Sequence, residues 1–186
     1  MSVGEAPLEV RDATAEDMAA VCDIVNHFIE RSFVNFRTQP QTCAEWVSDW
    51  ELYRRRYPWL VAVQEGEVVG MAYSAPFKLR EAYNWCAEVT VYVSAKCHRR
   101  GVGRALYQRL IPTLQEQGYH TVVALIALPN PPSVALHEAF GLRPAGVLRH
   151  VGYKLGEWHD IGFWQRVLTD AEGEPSPPRR AGDVSR

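Results

Sequence analysis

The sequence predicts an α+β fold, with one mixed central sheet flanked by helices. Strand-like segments, in which apolar residues alternate with polar ones or run together, are interspersed with segments whose apolar residues recur at helical spacing. In chain order these segments give β-α-α-β-β-β-α-β-α-β-β, and they contain no internal repeat. The length of 186 residues suits one domain of ordinary size with a real hydrophobic core.

The chain is predicted to comprise one domain, residues 1–170, and a tail, residues 171–186. The tail consists mostly of Pro, Gly and charged residues, has little to bury, and is expected to be disordered. A formal net charge of −2 argues against nucleic acid as the main partner. No apolar run approaches a membrane span, and the first residues lack a signal-peptide pattern. Because the four cysteines lack zinc-like spacing, we expect a reduced, cytoplasmic protein without a metal site.

Two helices follow a short first strand, residues 8–11. Thr14 and Asp17 have the spacing of a capping box, in which two side chains satisfy free N–H groups at a helix start. Thr42 and Glu45 repeat that spacing at the second helix. The spacing therefore indicates where both helices begin.

The connector between these helices, residues 32–41, is unusually rich in apolar and cationic side chains, among them Phe36 and Arg37. A loop of this composition is typical of one that covers a pocket. The alternative interpretation is that Phe36 simply fills the core, and the residues themselves favour neither.

Residues 59–64 and 68–74 predict two strands around the turn Glu65-Gly66-Glu67. A loop, residues 76–84, separates them from the next strand, residues 85–93. This loop carries Lys78, Arg80 and Tyr83.

The strand at residues 85–93 has an acidic residue at its centre. Since neighbouring side chains of a strand point to opposite faces, Glu88 shares a face with Thr90 and Tyr92. A carboxylate at such a position is costly to bury unless it has a partner or a task. Glu88 is therefore either a general base or one half of an ion pair with Lys78 or Arg80.

The stretch Arg99-Arg100-Gly101-Val102-Gly103 follows this strand and opens a helix that is predicted to run from Val102 to about residue 117. Glycines let a backbone approach a ligand closely, and the first turn of a helix presents free N–H groups together with the positive end of its dipole. That combination binds a pyrophosphate. By itself, however, the motif is more typical of an ordinary strand–helix turn than of a pyrophosphate site.

The remaining elements complete the predicted order. Residues 121–127 form a buried strand, and a helix follows from Pro131 or Pro132 to about Phe140, where Gly141 ends it. Residues 146–154 and 158–167 predict a last hairpin around Gly156.

Two stretches give the sequence a family resemblance. Residues 98–103 resemble the acetyl-CoA motif Gln/Arg-x-x-Gly-x-Gly/Ala of the GNAT N-acetyltransferases, with His98 at the Gln/Arg position as a departure from that pattern. The stretch from Asn130 to Leu142 resembles a second GNAT motif. Five further stretches, residues 24–27, 34–38, 57–62, 90–94 and 156–160, narrow the resemblance to the phosphinothricin N-acetyltransferase family within the GNAT proteins. It extends over residues 10–165.

The resemblance implies the GNAT acyl-CoA N-acyltransferase fold, acetyl-CoA as co-substrate, and a set of site residues. Glu88 matches the family's general base, and His137 stands where most GNAT enzymes have a tyrosine that protonates the thiolate, with Tyr107 as a further candidate donor. The implied acetyl-CoA contacts are Val91, Tyr92, Val93, Arg99, Arg100, Gly101, Val102, Gly103, Arg104, Asn130 and Ser133. The implied contacts to the amine substrate are Phe36, Arg37, Lys78, Arg80, Tyr83, Thr90 and Tyr92.

The function implied is acetyl-CoA-dependent N-acetylation of phosphinothricin, or of analogues such as methionine sulfoximine and methionine sulfone. Their anionic or strongly polar groups call for Arg or Lys. A broader amino-acid or amine N-acetyltransferase is the alternative enzyme, and a non-catalytic acyl-CoA sensor is the alternative of another class. By resemblance, we also expect a homodimer.

Overall fold

The computed structural model of the chain describes residues 6–170 and 172–184. Its main elements follow the predicted order. The strands are β1 Glu9–Asp12, β2 Trp59–Gln64, β3 Glu67–Pro76, β4 Cys86–Val93, β5 Thr121–Leu128, β6 Arg143–Lys154 and β7 Glu157–Val167. The helices are α1 Met18–Arg31, α2 Cys43–Tyr53, α3 Val102–Gln117 and α4 Pro131–Ala139. No helix in the described ranges combines the length and apolar composition that crossing a bilayer requires.

The seven strands form one sheet in the order β1-β2-β3-β4-β5-β7-β6. β4 and β5 pair parallel, and the other neighbours pair antiparallel, which confirms the prediction of a mixed sheet. The β4–β5 pairing extends only from Cys86 opposite Thr121 to Glu88 opposite Val123. Beyond Glu88 the two strands separate, although both continue for several residues.

Each face of the sheet packs against its own helices. Helix α3 covers one face, where its apolar residues Leu106, Leu110 and Leu114 are fully buried. Helices α1 and α2 cover the other face. Strand β4 contributes Ala87 to the first core and Tyr92 to the edge of the second, which confirms the alternation predicted for this strand.

Helix ends follow the local signals. Thr42 and Glu45 form the predicted capping box at α2, and Thr14 and Asp17 do so at a short 3₁₀ turn that leads into α1. Gly101 begins α3 in the left-handed region at φ 80°.

The described part of the C-terminal tail makes contacts with the domain. Residues 172–184 follow the surface of the domain, and the backbones of Gln117 and Arg179 meet through an N–H···O bond of 2.7 Å. The Gln117 side chain donates to the Arg179 carbonyl, Trp85 Nε1 donates to the Ser176 carbonyl, and Val184 is buried. Composition does not reveal these partners, because they lie far away in the chain. Residues 1–5, 171, 185 and 186, which also belong to the predicted domain and tail, lie outside the described residues.

Candidate active site

A cavity of about 620 Å³ opens where β4 and β5 separate, a volume within the range of small-molecule sites. Its walls are residues 89–93 of β4, residues 125–127 of β5, the N-terminal turn of α3, and α4. Ser94 N donates to Val69 O on the β3 side. Since successive N–H groups of a strand alternate between its two edges, those of Val91 and Val93 point into the gap, where β5 no longer pairs with them.

The predicted pyrophosphate turn forms one end of this cavity. Gly101, Val102 and Gly103 line it together with Arg99 and Arg104. The first N–H groups of α3 lack intrahelical acceptors, as they do at any helix start. Gly103 faces α4 so closely that an added Cβ would lie 3.1 Å from Leu136 Cδ2. The turn therefore offers donors, positive charge and close backbone approach to an anion.

Not every residue of the basic stretch belongs to this wall. Arg100 is exposed and is absent from the cavity lining among the described residues. His98 lines the cavity, and its Nε2 donates to the carbonyl of Val93 at 3.1 Å. The ring of His98 stacks on Phe28, with centroids 6.2 Å apart.

Helix α4 brings the second predicted motif to the same cavity. Asn130 caps the helix, because its side-chain oxygen accepts from Ser133 N at 3.3 Å. Asn130, Ser133 and His137 all line the cavity. The structure therefore brings the two sequence motifs together from separate parts of the chain.

His137 is held in one tautomer by its neighbours. Its Nδ1 lies 2.7 Å from the carbonyl oxygen of Ser133, which only accepts, so Nδ1 carries the proton. Nε2 lies 2.9 Å from the hydroxyl of the fully buried Tyr107, which then donates to it. Burial lowers the pKa of His137 and raises that of Tyr107, which favours the neutral form of both groups.

Glu88 lies at the apex of the gap, in the last residue pair that joins β4 to β5. Its half-buried carboxylate has no hydrogen-bond partner among the described residues. Burial raises the pKa of Glu88 above its usual range, and the positive charge of Lys78 opposes part of that shift. A carboxylate with a raised pKa suits general-base chemistry near neutral pH.

Tyr92 and Thr90 line the cavity beyond Glu88. Burial raises the pKa of Tyr92 to about 12, which keeps its hydroxyl protonated. Asn35 Nδ2 donates to that hydroxyl at 2.9 Å, and the amide of Arg37 donates to Asn35 Oδ1 at 2.8 Å. The connector between α1 and α2 is thereby fastened beside β4.

Phe36 belongs to neither hydrophobic core and does not line the cavity among the described residues. It is half-buried and packs on β6, where a Cβ added to Gly152 would lie 2.2 Å from Phe36 Cε2. It therefore holds the connector against the last hairpin instead of filling either core.

The predicted substrate-binding residues Lys78, Arg80 and Tyr83 are exposed on the loop between β3 and β4, and they are absent from the cavity lining among the described residues. Lys78 Nζ lies 5.2 Å from the ring centroid of Phe77, and Tyr83 contacts the same ring edge-on. Arg80 is exposed, and its carbonyl accepts from Tyr83 N at 3.0 Å. Of these three residues, Lys78 is the one whose charge acts on Glu88, where it lowers the pKa against the effect of burial.

The sequence alone did not indicate three residues of this region. Asn35 precedes the two predicted residues of the connector, Phe36 and Arg37, yet its bond to Tyr92 spans 57 positions. Lys154 contacts Asn35 across 119 positions, and Phe28 of α1 lines the cavity. Adjacency to Phe36 is the one signal that pointed towards Asn35. Nothing in the local pattern pointed towards Lys154.

Comparisons with known proteins identify the family of the chain. Residues 10–162 match the family described as "Acetyltransferase (GNAT) domain". A phosphinothricin N-acetyltransferase of Streptomyces viridochromogenes is 56% identical over 100% of both chains. An L-methionine sulfoximine/L-methionine sulfone acetyltransferase of Salmonella typhimurium is 31% identical over 88% of this chain and 96% of its own length.

The fold leads to the same family. The solved structure of a phosphinothricin acetyltransferase from Sinorhizobium meliloti in complex with AcCoA superposes with a TM-score of 0.86 at 30% identity. It covers 91% of this chain and 93% of its own. The extent of these matches and the cavity at the separated strands have one consistent explanation: this chain belongs to the GNAT acetyltransferase family.

Proposed function

We propose that this acetyltransferase transfers an acetyl group from acetyl-CoA to the α-amino group of phosphinothricin or of a close analogue such as methionine sulfoximine or methionine sulfone. The observation that carries the proposal is Glu88, an acid without a hydrogen-bond partner among the described residues. It stands at the last β4–β5 pair, next to Val89 and Thr90 of a cavity whose other end is an anion-binding turn, although Glu88 itself is absent from the cavity lining among the described residues. The relatives at 56% and 31% identity support this choice of substrate.

The cavity fits acetyl-CoA in size and chemistry. The N–H groups of the α3 turn, with Arg99 and Arg104, suit the pyrophosphate. The N–H groups of Val91 and Val93 suit the amide groups of the pantetheine arm and the polarisation of a carbonyl. Acetyl-CoA supplies the activated acetyl group, and the protein supplies orientation and a base.

Glu88 takes the proton from the substrate ammonium, directly or through one water. An amine is a nucleophile only after this proton has left, and a carboxylate with a raised pKa accepts it more readily than an ordinary one. Three exposed cations bind the carboxylate and the phosphinate or sulfur-linked oxygen groups of the substrate: Arg37, Lys78 and Arg80.

His137 and Tyr107 act as one unit at the thiol end. The hydrogen bond from Tyr107 fixes the orientation of the His137 ring. His137 lines the cavity, and Tyr107 does not. We assign the pair to proton transfer to the leaving thiolate: His137 gives up its Nδ1 proton, which is hydrogen-bonded to the Ser133 carbonyl oxygen, Nε2 takes the Tyr107 hydroxyl proton in its place, and solvent returns a proton to Tyr107 before the next cycle.

The test is the initial rate of CoA release with a panel of acceptors: phosphinothricin, methionine sulfoximine, methionine sulfone, ordinary amino acids and simple amines. The proposal expects the first three to have the highest kcat/KM. Equal rates across amino acids would identify the broader amine acetyltransferase. Acetyl-CoA binding by calorimetry without turnover of any acceptor would identify the sensor.

We further propose that the enzyme is a cytoplasmic homodimer. The β6–β7 hairpin supports a dimer, because it exposes apolar side chains that a monomer would leave in water. They include Val147, Leu148, Val151, Tyr153, Leu155 and Trp158, each about half exposed or more. The four free cysteines agree with a reducing compartment. Light scattering coupled to gel filtration measures the oligomeric state, and a monomer at micromolar concentration would contradict the dimer.

A further inference from the structure

Contacts from a distant part of the chain hold the connector that carries Asn35, Phe36 and Arg37. Three contacts come from the β6–β7 hairpin. Lys154 contacts Asn35, His159 contacts Phe33, and Gly152 contacts Phe36. We propose that Lys154, the last residue of β6, is a positioning residue for the acceptor-amine site, acting through Asn35. The inference rests on the proposed function, because it deepens the account of the same site.

Lys154 is an unusual lysine. It is 7% exposed, and its ammonium donates to the backbone carbonyl of Asn35 at 2.6 Å. No carboxylate of the described residues lies within ion-pair distance of it. Burial lowers the pKa of Lys154, so the ammonium is held at a cost in free energy. A cation retained in such a place without a counter-ion points to a role other than stability.

The bond from Lys154 leads directly to the acceptor side of the cavity. The residue whose carbonyl it holds, Asn35, donates from Nδ2 to the Tyr92 hydroxyl and accepts at Oδ1 from the Arg37 amide. The Lys154 ammonium therefore fixes the backbone of Asn35, and the Asn35 side chain in turn contacts both the cavity-lining Tyr92 and the exposed Arg37. Lys154 itself does not line the cavity among the described residues.

Two aromatic contacts complete the attachment. Phe33 stacks on His159 of β7, with ring centroids 4.4 Å apart and planes at 9°. His159 Nε2 in turn donates to the carbonyl of Lys154 at 2.9 Å. Phe36 packs on Gly152, where only a hydrogen leaves room for the ring. The hairpin therefore acts as a platform for the connector, and Lys154 provides its polar contact.

The test variant is Lys154→Met, which keeps the length of the side chain and removes both the donor and the buried charge. Because a hydrogen bond from a charged group is lost, we expect the KM of the acceptor amine to rise about ten-fold or more. The KM of acetyl-CoA should rise much less than that of the acceptor, because the α3 turn proposed to hold its pyrophosphate lies apart from the connector and only the implied Tyr92 contact is shared. The melting temperature should not fall, because an unpaired buried charge has been removed.

Arg149→Met is the matched control, since Arg149 is an exposed cation on the same strand; it should change neither KM. Gly152→Ala perturbs the platform at Phe36 without altering Lys154, and should reproduce the selective loss. A rise of both KM values together, or an unchanged acceptor KM in Lys154→Met, would overturn the proposal.

A second measurement needs no substrate. Trypsin cleaves after arginine, and Arg37 lies on the connector, so Lys154→Met should speed cleavage at Arg37 relative to the parent and the Arg149→Met control. If the parent protein turned over no acceptor, the proposed function would fail, while this cleavage rate would still report on the platform. Unchanged cleavage at Arg37 would count against Lys154 independently.

Discussion

Replacing Glu88 by glutamine tests the chemistry most directly. Glutamine preserves the shape of the side chain and removes its basicity. Glu88 does not touch the anion-binding turn, and it stands at the last paired position of β4 and β5, so Glu88→Gln should leave the separation of the strands intact. We therefore expect a loss in kcat with little change in acetyl-CoA affinity.

The expected loss is about 10²- to 10⁴-fold, the usual contribution of a positioned base. It corresponds to about 3–5 kcal/mol of transition-state stabilisation. The acidic limb of the parent pH–rate profile should lie above 4.5, the ordinary pKa of a glutamate, because burial outweighs the effect of Lys78. Raising the pH should restore part of the lost rate in Glu88→Gln, since more of the free amine is then already neutral.

The same shift makes a prediction about stability. A carboxyl whose pKa is raised on folding stabilises the fold fully below its unfolded pKa, and this contribution is lost as the pH rises through the folded value. At neutral pH Glu88→Gln should therefore melt at the same temperature as the parent or higher. The advantage should vanish at acid pH.

The assay is CoA thiol release between pH 5 and 9, with thermal melting of the same samples. Glu67→Gln serves as the control, because Glu67 is an exposed glutamate on the neighbouring strand β3. A Glu88→Gln variant with near-normal kcat and the parent's acidic limb would refute the assignment of the base. His137 or solvent would then be the next candidate.

Three further predictions concern the rest of the site. Gly101→Val should abolish acetyl-CoA binding in calorimetry, because valine is strained at φ 80° and would displace the turn, although no atom crowds that position; unchanged affinity in a folded variant would remove the assignment. Lys78→Ala or Arg80→Ala should raise KM for anionic acceptors more than for a neutral amino amide, and equal losses would mean that these cations shape the loop. Tyr107→Phe, His137→Asn and the double variant should lower kcat by similar factors if the pair acts as one unit, whereas multiplying losses would show independent roles.

Local patterns predicted most of the fold. The alternation along β4, the capping box at Thr42 and the glycine that begins α3 depend on neighbouring residues, and the structure confirms each of them. The order of helices and strands along the chain predicted a mixed sheet, which the structure confirms. Composition could not indicate the contacts of the tail, such as the bond from the Gln117 side chain to the Arg179 carbonyl, because these partners lie far away in the chain.

The geometry of the site depends on contacts that no local pattern encodes. Glu88 was recognisable as an unusual acid, but its place at the apex requires knowledge of where β4 and β5 stop pairing. The shared hydrogen bond of Tyr107 and His137 spans 30 positions, and it changes two separate donor candidates into one pair. In the sequence Lys154 is only the last residue of a predicted strand. Its burial and its bond to Asn35 depend on residues far away in the chain.

The separation of β4 from β5 explains why both halves of the chemistry occur in one place. Where the strands part, the N–H groups of Val91 and Val93 lose their neighbour and become donors for a ligand instead of bonds within the sheet. At the point of parting, Glu88 is still enclosed by the sheet but has no polar partner among the described residues, and that desolvation raises its pKa. A fully paired β4 would have satisfied the same N–H groups and closed the cavity. The end of the β4–β5 pairing therefore opens the cavity and lies at the residue that we propose as the base.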